Sequence, residues 1–178
     1  MELNTKVKEQ WQRLFNYYRS NGLLLKKCKG ASEEQIMEFE NEFKIKLPKT
    51  FAESLKICDE RYILNSSKKV GWLGEDDMYS LTNRKYDWYN LFQVNRQIAT
   101  YAKDIGWNKN WIQFYDYGTW FSAVLDTVTG KIYCYENETG AYVLWANSYE
   151  EWLEMAVDEV VKYGELRLET MEKLLGIE

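Results

Sequence analysis

Residues 111–146 alternate short runs of aromatic and β-branched residues with short turn segments, and this pattern constrains the fold more than any other feature of the sequence. The runs are WIQFY, TWFSAVLD, KIYCYE and AYVLWA, separated by DYG, TVTG and NETG. Such runs are typical of strands, and connections this short join antiparallel neighbours. The sequence therefore predicts a meander in which Asp126 and Gly130 form one hairpin connection, with glycine supplying a positive φ.

Helical spacing flanks the meander on both sides. Apolar residues recur at three- and four-residue steps in segments 3–18, 36–43 and 91–105. Ser148 and Glu151 have the spacing of a capping box before a segment whose apolar stripe includes Trp152. We therefore expect one α+β domain over residues 1–178, with an antiparallel or mixed sheet flanked by N-terminal and C-terminal helices. Trp111, Phe121, Leu125 and Trp152 are expected mainly in the core.

Pro48 is the only proline in the chain, and it lies between two segments of helical spacing. Proline costs roughly 3 kcal/mol inside a helix but is accepted in the first turn, where its missing N–H has no partner to lose. We expect Pro48 to start a short helix that carries Phe51. Leu47, just before this corner, is expected to enter the core.

The chain contains no histidine, so it lacks the commonest general base and the most frequent metal ligand. Cys28, Cys58 and Cys134 are odd in number and widely spaced, which favours buried or incidental thiols over a disulfide framework or a zinc site. We expect no cofactor and no metal.

The best enzymatic alternative places carboxylates among aromatic residues, as in carbohydrate-active sites. Glu136 and Glu138 would share one strand face, and Asp116 and Asp126 flank the same meander. However, Glu138 lies in a turn-like segment, and an aspartate such as Asp126 often caps a turn. The sequence therefore favours a protein without a catalytic site.

Acidic residues outnumber basic ones, 28 to 23, and give a formal net charge of −5. An acidic surface repels phosphate backbones but attracts basic proteins, so we expect no direct nucleic-acid binding. The alternative is that the helix carboxylates only form a solvated face.

No apolar segment approaches the roughly 20 residues that span a bilayer, and the N-terminus lacks the pattern of a signal peptide, so a cytoplasmic protein without membrane contact is expected. Residues 136–161 contain no lysine or arginine and the acidic residues Glu136, Glu138, Glu150, Glu151, Glu154, Asp158 and Glu159.

Three segments in this order resemble the SUKH superfamily, which joins bacterial toxin-immunity proteins to fungal cell-wall-assembly regulators. They are SEEQIMEFENEFKIKLPKTFAESL, WIQFYDYGTWFSAVLDTVTGKIYCYE and SYEEWLEMA, together covering about residues 32–161. The chain departs from the family at ICDERYIL, where members often have Asn-Gly, and residues 66–89 match no part of the pattern. Some positions match the family pattern, and others are expected to build its fold. Together they are Leu47, Pro48, Phe51, Trp111, Gly118, Asp126, Gly130, Tyr133 and Trp152.

The resemblance implies a non-catalytic immunity protein that binds and neutralises a cognate polymorphic toxin, often a nuclease, encoded nearby. A regulatory scaffold or a small-ligand module of the same fold remains open as the alternative. Aromatic residues make up 16% of the chain and are enriched at protein interfaces, although most such side chains belong to cores. The candidate partner-binding residues lie on the meander and its loops: Asp116, Tyr117, Trp120, Tyr133, Tyr135, Glu136 and Glu138.

Overall fold

The structure, a computed structural model, describes residues 5–22, 29–59, 62–65, 68–71, 77–78, 90–117 and 120–176. Its helices are α1 (Thr5–Ser20), α2 (Glu33–Phe43), α3 (Lys49–Ile57), α4 (Leu91–Tyr101), α5 (Tyr149–Tyr163) and α6 (Leu168–Leu175). Its strands are β1 (Tyr62–Asn65), β2 (Lys68–Gly71), β3 (Asp77–Met78), β4 (Trp111–Tyr117), β5 (Phe121–Asp126), β6 (Ile132–Glu136) and β7 (Tyr142–Ala146).

The predicted meander forms the main sheet. Its strands follow the order β3-β4-β5-β6-β7, and every neighbouring pair is antiparallel. β1 and β2 form a separate antiparallel hairpin. The α+β class and the flanking helices are confirmed. The position of β3 at the edge beside β4 was not predicted, although its residues belong to a segment with strand-like composition.

One face of the sheet packs against the helices through an aromatic core. The ring of Phe114 on β4 lies 4.8 Å from that of Trp152 on α5, and Phe51 on α3 lies 5.0 Å from Tyr149. Phe121, Leu125 and Trp152 are buried, as predicted. Trp111 is instead half-buried and contacts Tyr133 on the opposite face, with ring centroids 5.3 Å apart.

The corner between α2 and α3 depends on a buried carboxylate. Leu47 is 5% exposed, as predicted, and Pro48 lies immediately before α3, where its carbonyl accepts the N–H of Ala52 at 3.0 Å. The Glu40 side chain accepts the backbone N–H of Leu47 at 2.9 Å and pairs with Lys46. Glu40 therefore fixes the chain just before the proline.

Gly118 and Cys28 lie outside the described residues, so the expectations for them stay predictions. Cys58 is disulfide-bonded, so the expectation of a thiol is wrong there, whereas Cys134 is a buried thiol whose pKa is raised to about 12 by its burial. In the part of the chain that the structure describes, every helix is too short or too polar to cross a membrane.

Candidate partner-binding surface

The β5–β6 and β6–β7 turns are built in the same way. The Asp126 carboxylate, at the end of β5, accepts the N–H groups of Val128 and Thr129 at 2.9 and 3.1 Å. Glu136, at the end of β6, accepts those of Glu138 and Thr139 at 2.8 and 2.7 Å. Each turn then closes on a glycine with φ of 75°, Gly130 or Gly140, whose N–H donates to the carbonyl of the acidic residue. The spacing acid-x-x-Thr-Gly, present twice in the sequence, is the signal for this geometry.

These hydrogen bonds determine the charge state of Glu136. Burial alone would raise the pKa of its carboxyl group, but the Thr139 hydroxyl and the two turn N–H groups donate to it and hold the pKa below the ordinary value. Glu136 is therefore an ionised turn cap with only 6% of its surface exposed.

The sheet face opposite the helices carries an aromatic cluster. Trp111 lies 4.8 Å from Tyr142 and 5.6 Å from Trp107, and Trp107 lies 5.1 Å from Tyr135. Tyr133 contacts Trp111 and Tyr142. Tyr142 is 56% exposed, whereas Tyr135 is 6% exposed, so the cluster covers the sheet and opens to solvent at β7.

A cleft of about 720 Å³ opens at one end of β5 and β6. Its walls come from the turn before β5, the β6–β7 turn and α6. Trp120 is 53% exposed, and its carbonyl accepts the N–H of Asn137 at 2.8 Å, which joins the two turns. The lining residues are Trp120, Phe121, Glu136, Glu138, Thr139, Ala141, Glu172 and Leu175.

Glu159 on α5 holds the helical wall of the cleft. Its carboxylate accepts the backbone N–H of Arg167 at 2.9 Å and the Thr170 hydroxyl at 2.5 Å, so it anchors the first turn of α6. Leu166 and Met171 bury the apolar side of this segment. Glu172 and Leu175 are thereby placed on the cleft.

The structure brings three of the predicted partner-binding residues together, because Trp120, Glu136 and Glu138 line one cleft. The expectation of exposure is wrong for Glu136, which caps a turn, and for Tyr135, which packs under Trp107.

The other predicted residues lie outside the cleft. Tyr133 belongs to the aromatic cluster, and Tyr117 packs against the hydrophobic core. Asp116 lies 3.5 Å from the Ser122 hydroxyl on β5, which donates its shorter hydrogen bond of 2.9 Å to Asn137. Glu172 and Leu175 were missed, because no sequence pattern shows on which surface α6 lies.

The sequence model of the SMI1 / KNR4 family (SUKH-1) matches residues 30–155. The chain belongs to this family. The predicted resemblance is thus confirmed over the corner, the meander and the start of α5. A search among curated proteins found no match.

The family match covers only some of the residues that line the cleft. Trp120, Glu136 and Glu138 lie within residues 30–155, whereas α6 with Glu172 and Leu175 follows them. α1 also lies outside the match. The cleft therefore combines turns of the family fold with a wall supplied by a further helix.

Proposed function

We propose that this protein is a non-catalytic immunity protein, which binds a cognate polymorphic toxin in the cytoplasm and blocks it. The observation that carries the proposal is membership of the SMI1 / KNR4 (SUKH-1) family. The resemblance to the SUKH superfamily, which joins bacterial toxin-immunity proteins to fungal cell-wall-assembly regulators, implies the immunity function.

The surface chemistry supports a protein partner. The cleft combines an exposed tryptophan, Trp120, with the carboxylates Glu138 and Glu172. Exposed aromatic residues are frequent anchors of protein interfaces, and carboxylates steer basic partners towards them. A basic toxin domain, such as a nuclease that binds phosphate backbones, fits this combination.

The contacts of the acidic residues argue against the carbohydrate-active alternative. Asp126 and Glu136 each accept two backbone N–H groups of their own turns. Their oxygens are therefore oriented by the fold, and the strand register, which pairs Phe121 with Glu136 and Leu125 with Ile132, puts Asp126 and Glu136 at opposite ends of the β5–β6 pair. A glycosidase mechanism needs two carboxylates that flank the scissile bond.

Co-expression tests the proposal. The variable C-terminal domain of a secreted protein encoded beside this chain would be produced in cells with and without it. We expect cells that contain the protein to survive, and the two proteins to co-purify. Death of cells that contain folded protein, with no complex recovered, would exclude the immunity function and favour the regulatory scaffold.

A further inference from the structure

We infer that the cleft between the β6–β7 turn and α6 docks an apolar segment of the partner that carries a lysine or arginine, and that α6 selects which partner is bound. This inference rests on the proposed function and names the docking site and the chemistry of the docked segment.

The shape and the apolar surface of the cleft suit a peptide segment. Its volume of about 720 Å³ falls within the range of binding pockets. Trp120, Phe121 and Leu175 present apolar surface, and Trp120 is too exposed to serve the core alone. An aliphatic or aromatic side chain of a partner would cover this surface and remove it from water.

The charge of the cleft selects a basic segment. Glu136, Glu138 and Glu172 all line it, and no lysine or arginine is among the lining residues that the structure describes. Glu136 is engaged by its own turn, so Glu138 and Glu172 are the carboxylates that can meet a cation. A Lys or Arg beside the apolar side chain would complement both, whereas an acidic segment would be repelled.

The helix α6 makes the site particular to this chain. The turns that carry Trp120 and Glu138 lie within the family match, but Glu172 and Leu175 lie beyond residue 155. Glu159 and the buried residues Leu166 and Met171 fix this helix against the domain. A related protein with a different C-terminal helix would keep the turns and change the opposite wall. The identity of the α6 helix would then determine which partner is bound.

Substitutions at the cleft, made in the whole 178-residue chain, test the inference. Trp120→Ala, Glu138→Lys and Glu172→Lys alter only exposed or half-buried side chains, so the variants should fold, which circular dichroism checks. We expect each to weaken binding of the neighbouring toxin domain by roughly 30-fold, which corresponds to a hot-spot residue. Glu154→Lys, which makes the same charge change at an exposed position outside the cleft lining, should bind like the parent protein.

A second arm uses a displayed library of random short peptides as the probe. We expect peptides selected on the parent protein to pair Lys or Arg with an apolar residue and to lose binding on Glu172→Lys. Changing the basic residue of such a peptide to Glu should restore binding to Glu172→Lys.

The two arms separate the inference from the proposed function. Neutralisation by the parent protein and equally by all three cleft variants would overturn the docking site and leave the immunity function standing. Basic apolar peptides that bind the cleft of a protein that fails to neutralise the toxin would support the site and exclude the function. Selection of acidic peptides, or a change in self-association caused by the cleft variants in sedimentation analysis, would overturn the inferred occupant.

Discussion

At the scale of single residues, Asp126 and Glu136 each organise a whole turn. Each carboxylate accepts two successive backbone N–H groups, and a glycine in the left-handed region completes the turn. Without the carboxylate, these N–H groups would lose the acceptor that the folded turn gives them. The acidic residue at the end of each strand therefore has a structural role in its turn, and this role is separate from any contact with a partner.

The Glu136 cap predicts a pH-dependent stability. Since the folded-state pKa of Glu136 lies below the ordinary value of 4.5, its contribution is complete above pH 4.5 and is lost as the pH falls through the folded-state pKa. Glu136→Gln should lower the free energy of unfolding by about 2 kcal/mol at neutral pH, because its turn loses charge-assisted hydrogen bonds. Urea denaturation of both proteins across this pH range measures the difference, which should shrink in acid. Glu138→Gln, at the exposed neighbour, is the control, and equal pH profiles for Glu136→Gln and the parent would contradict the role of the cap.

Gly30 is required by close packing and not by its φ angle. A Cβ atom placed on it would lie 1.8 Å from the carbonyl oxygen of Lys56, because Ala31 and Asp59 join the two backbones through hydrogen bonds of 2.9 and 3.0 Å to Leu55 and Lys29.

Gly30→Ala should lower the free energy of unfolding by about 3 kcal/mol, since backbone must move to admit the methyl group. Gly22→Ala is the matched control, because Gly22 has φ of +78° but no atom of the described residues lies within 4 Å of the added Cβ. The control should lose only about 1 kcal/mol, the cost of the left-handed conformation. Thermal or urea unfolding compares the two variants, and equal losses would show that close packing at Gly30 is unimportant.

At the scale of elements, the helices and the meander could be predicted from periodicity, but the face on which each strand residue lies could not. The reason is a register shift in β4 between Gln113 and Tyr115. Trp111 contacts Tyr133 on the outer face, whereas Tyr115 packs against Trp152 on the helical face. Simple alternation would put both on one face. No local sequence signal marks this irregularity.

The irregularity is compensated by a distant side chain. The Asn95 amide on α4 accepts the N–H of Gln113 at 2.9 Å and donates to its carbonyl at 3.0 Å. The bulge thus depends on a residue that lies 18 positions earlier in the chain, on another element. Sequence patterns do not reveal this contact. The cleft escaped prediction for a similar reason, since Trp120 and Leu175 meet only in the folded protein.

A series of buried side-chain hydrogen bonds joins three helices. Trp11 on α1 donates to the Ser54 hydroxyl on α3 at 2.7 Å, and Ser54 and Tyr149 of α5 share a hydrogen bond of 2.8 Å. Ser54→Ala would leave two buried polar groups without this partner, so we expect a loss of about 2 kcal/mol in the free energy of unfolding. Urea denaturation measures it. Ser20→Ala, at an exposed serine whose hydroxyl donates to the Tyr17 carbonyl one turn earlier in the same helix, should change stability little. If Ser54→Ala lowered the free energy of unfolding no more than Ser20→Ala, the structural role of these buried hydrogen bonds would be contradicted.

At the scale of the whole molecule, some acidic residues of the C-terminal half stabilise the fold through contacts with other elements, whereas others can attract a partner. Asp158 pairs with Arg13 of α1 at 2.5 Å, and Glu159 holds α6. These contacts connect α5 to elements on both sides of the family match. The Arg13–Asp158 pair adds nothing to the formal net charge of −5, so the field that attracts a basic partner comes from the other acidic residues.

The proposed complex should nevertheless associate faster at low salt. Carboxylates at the cleft and the net negative charge attract a basic partner over distances that added salt screens, and the Debye length falls to about 8 Å at physiological ionic strength. Raising the salt concentration to this level should slow association with the toxin domain by roughly tenfold or more, as is typical of electrostatically steered encounters. The dissociation rate should change much less, because it depends on the apolar contacts with Trp120 and Leu175. Stopped-flow fluorescence measures both rates, and an association rate independent of salt would show that these carboxylates form only a solvated surface.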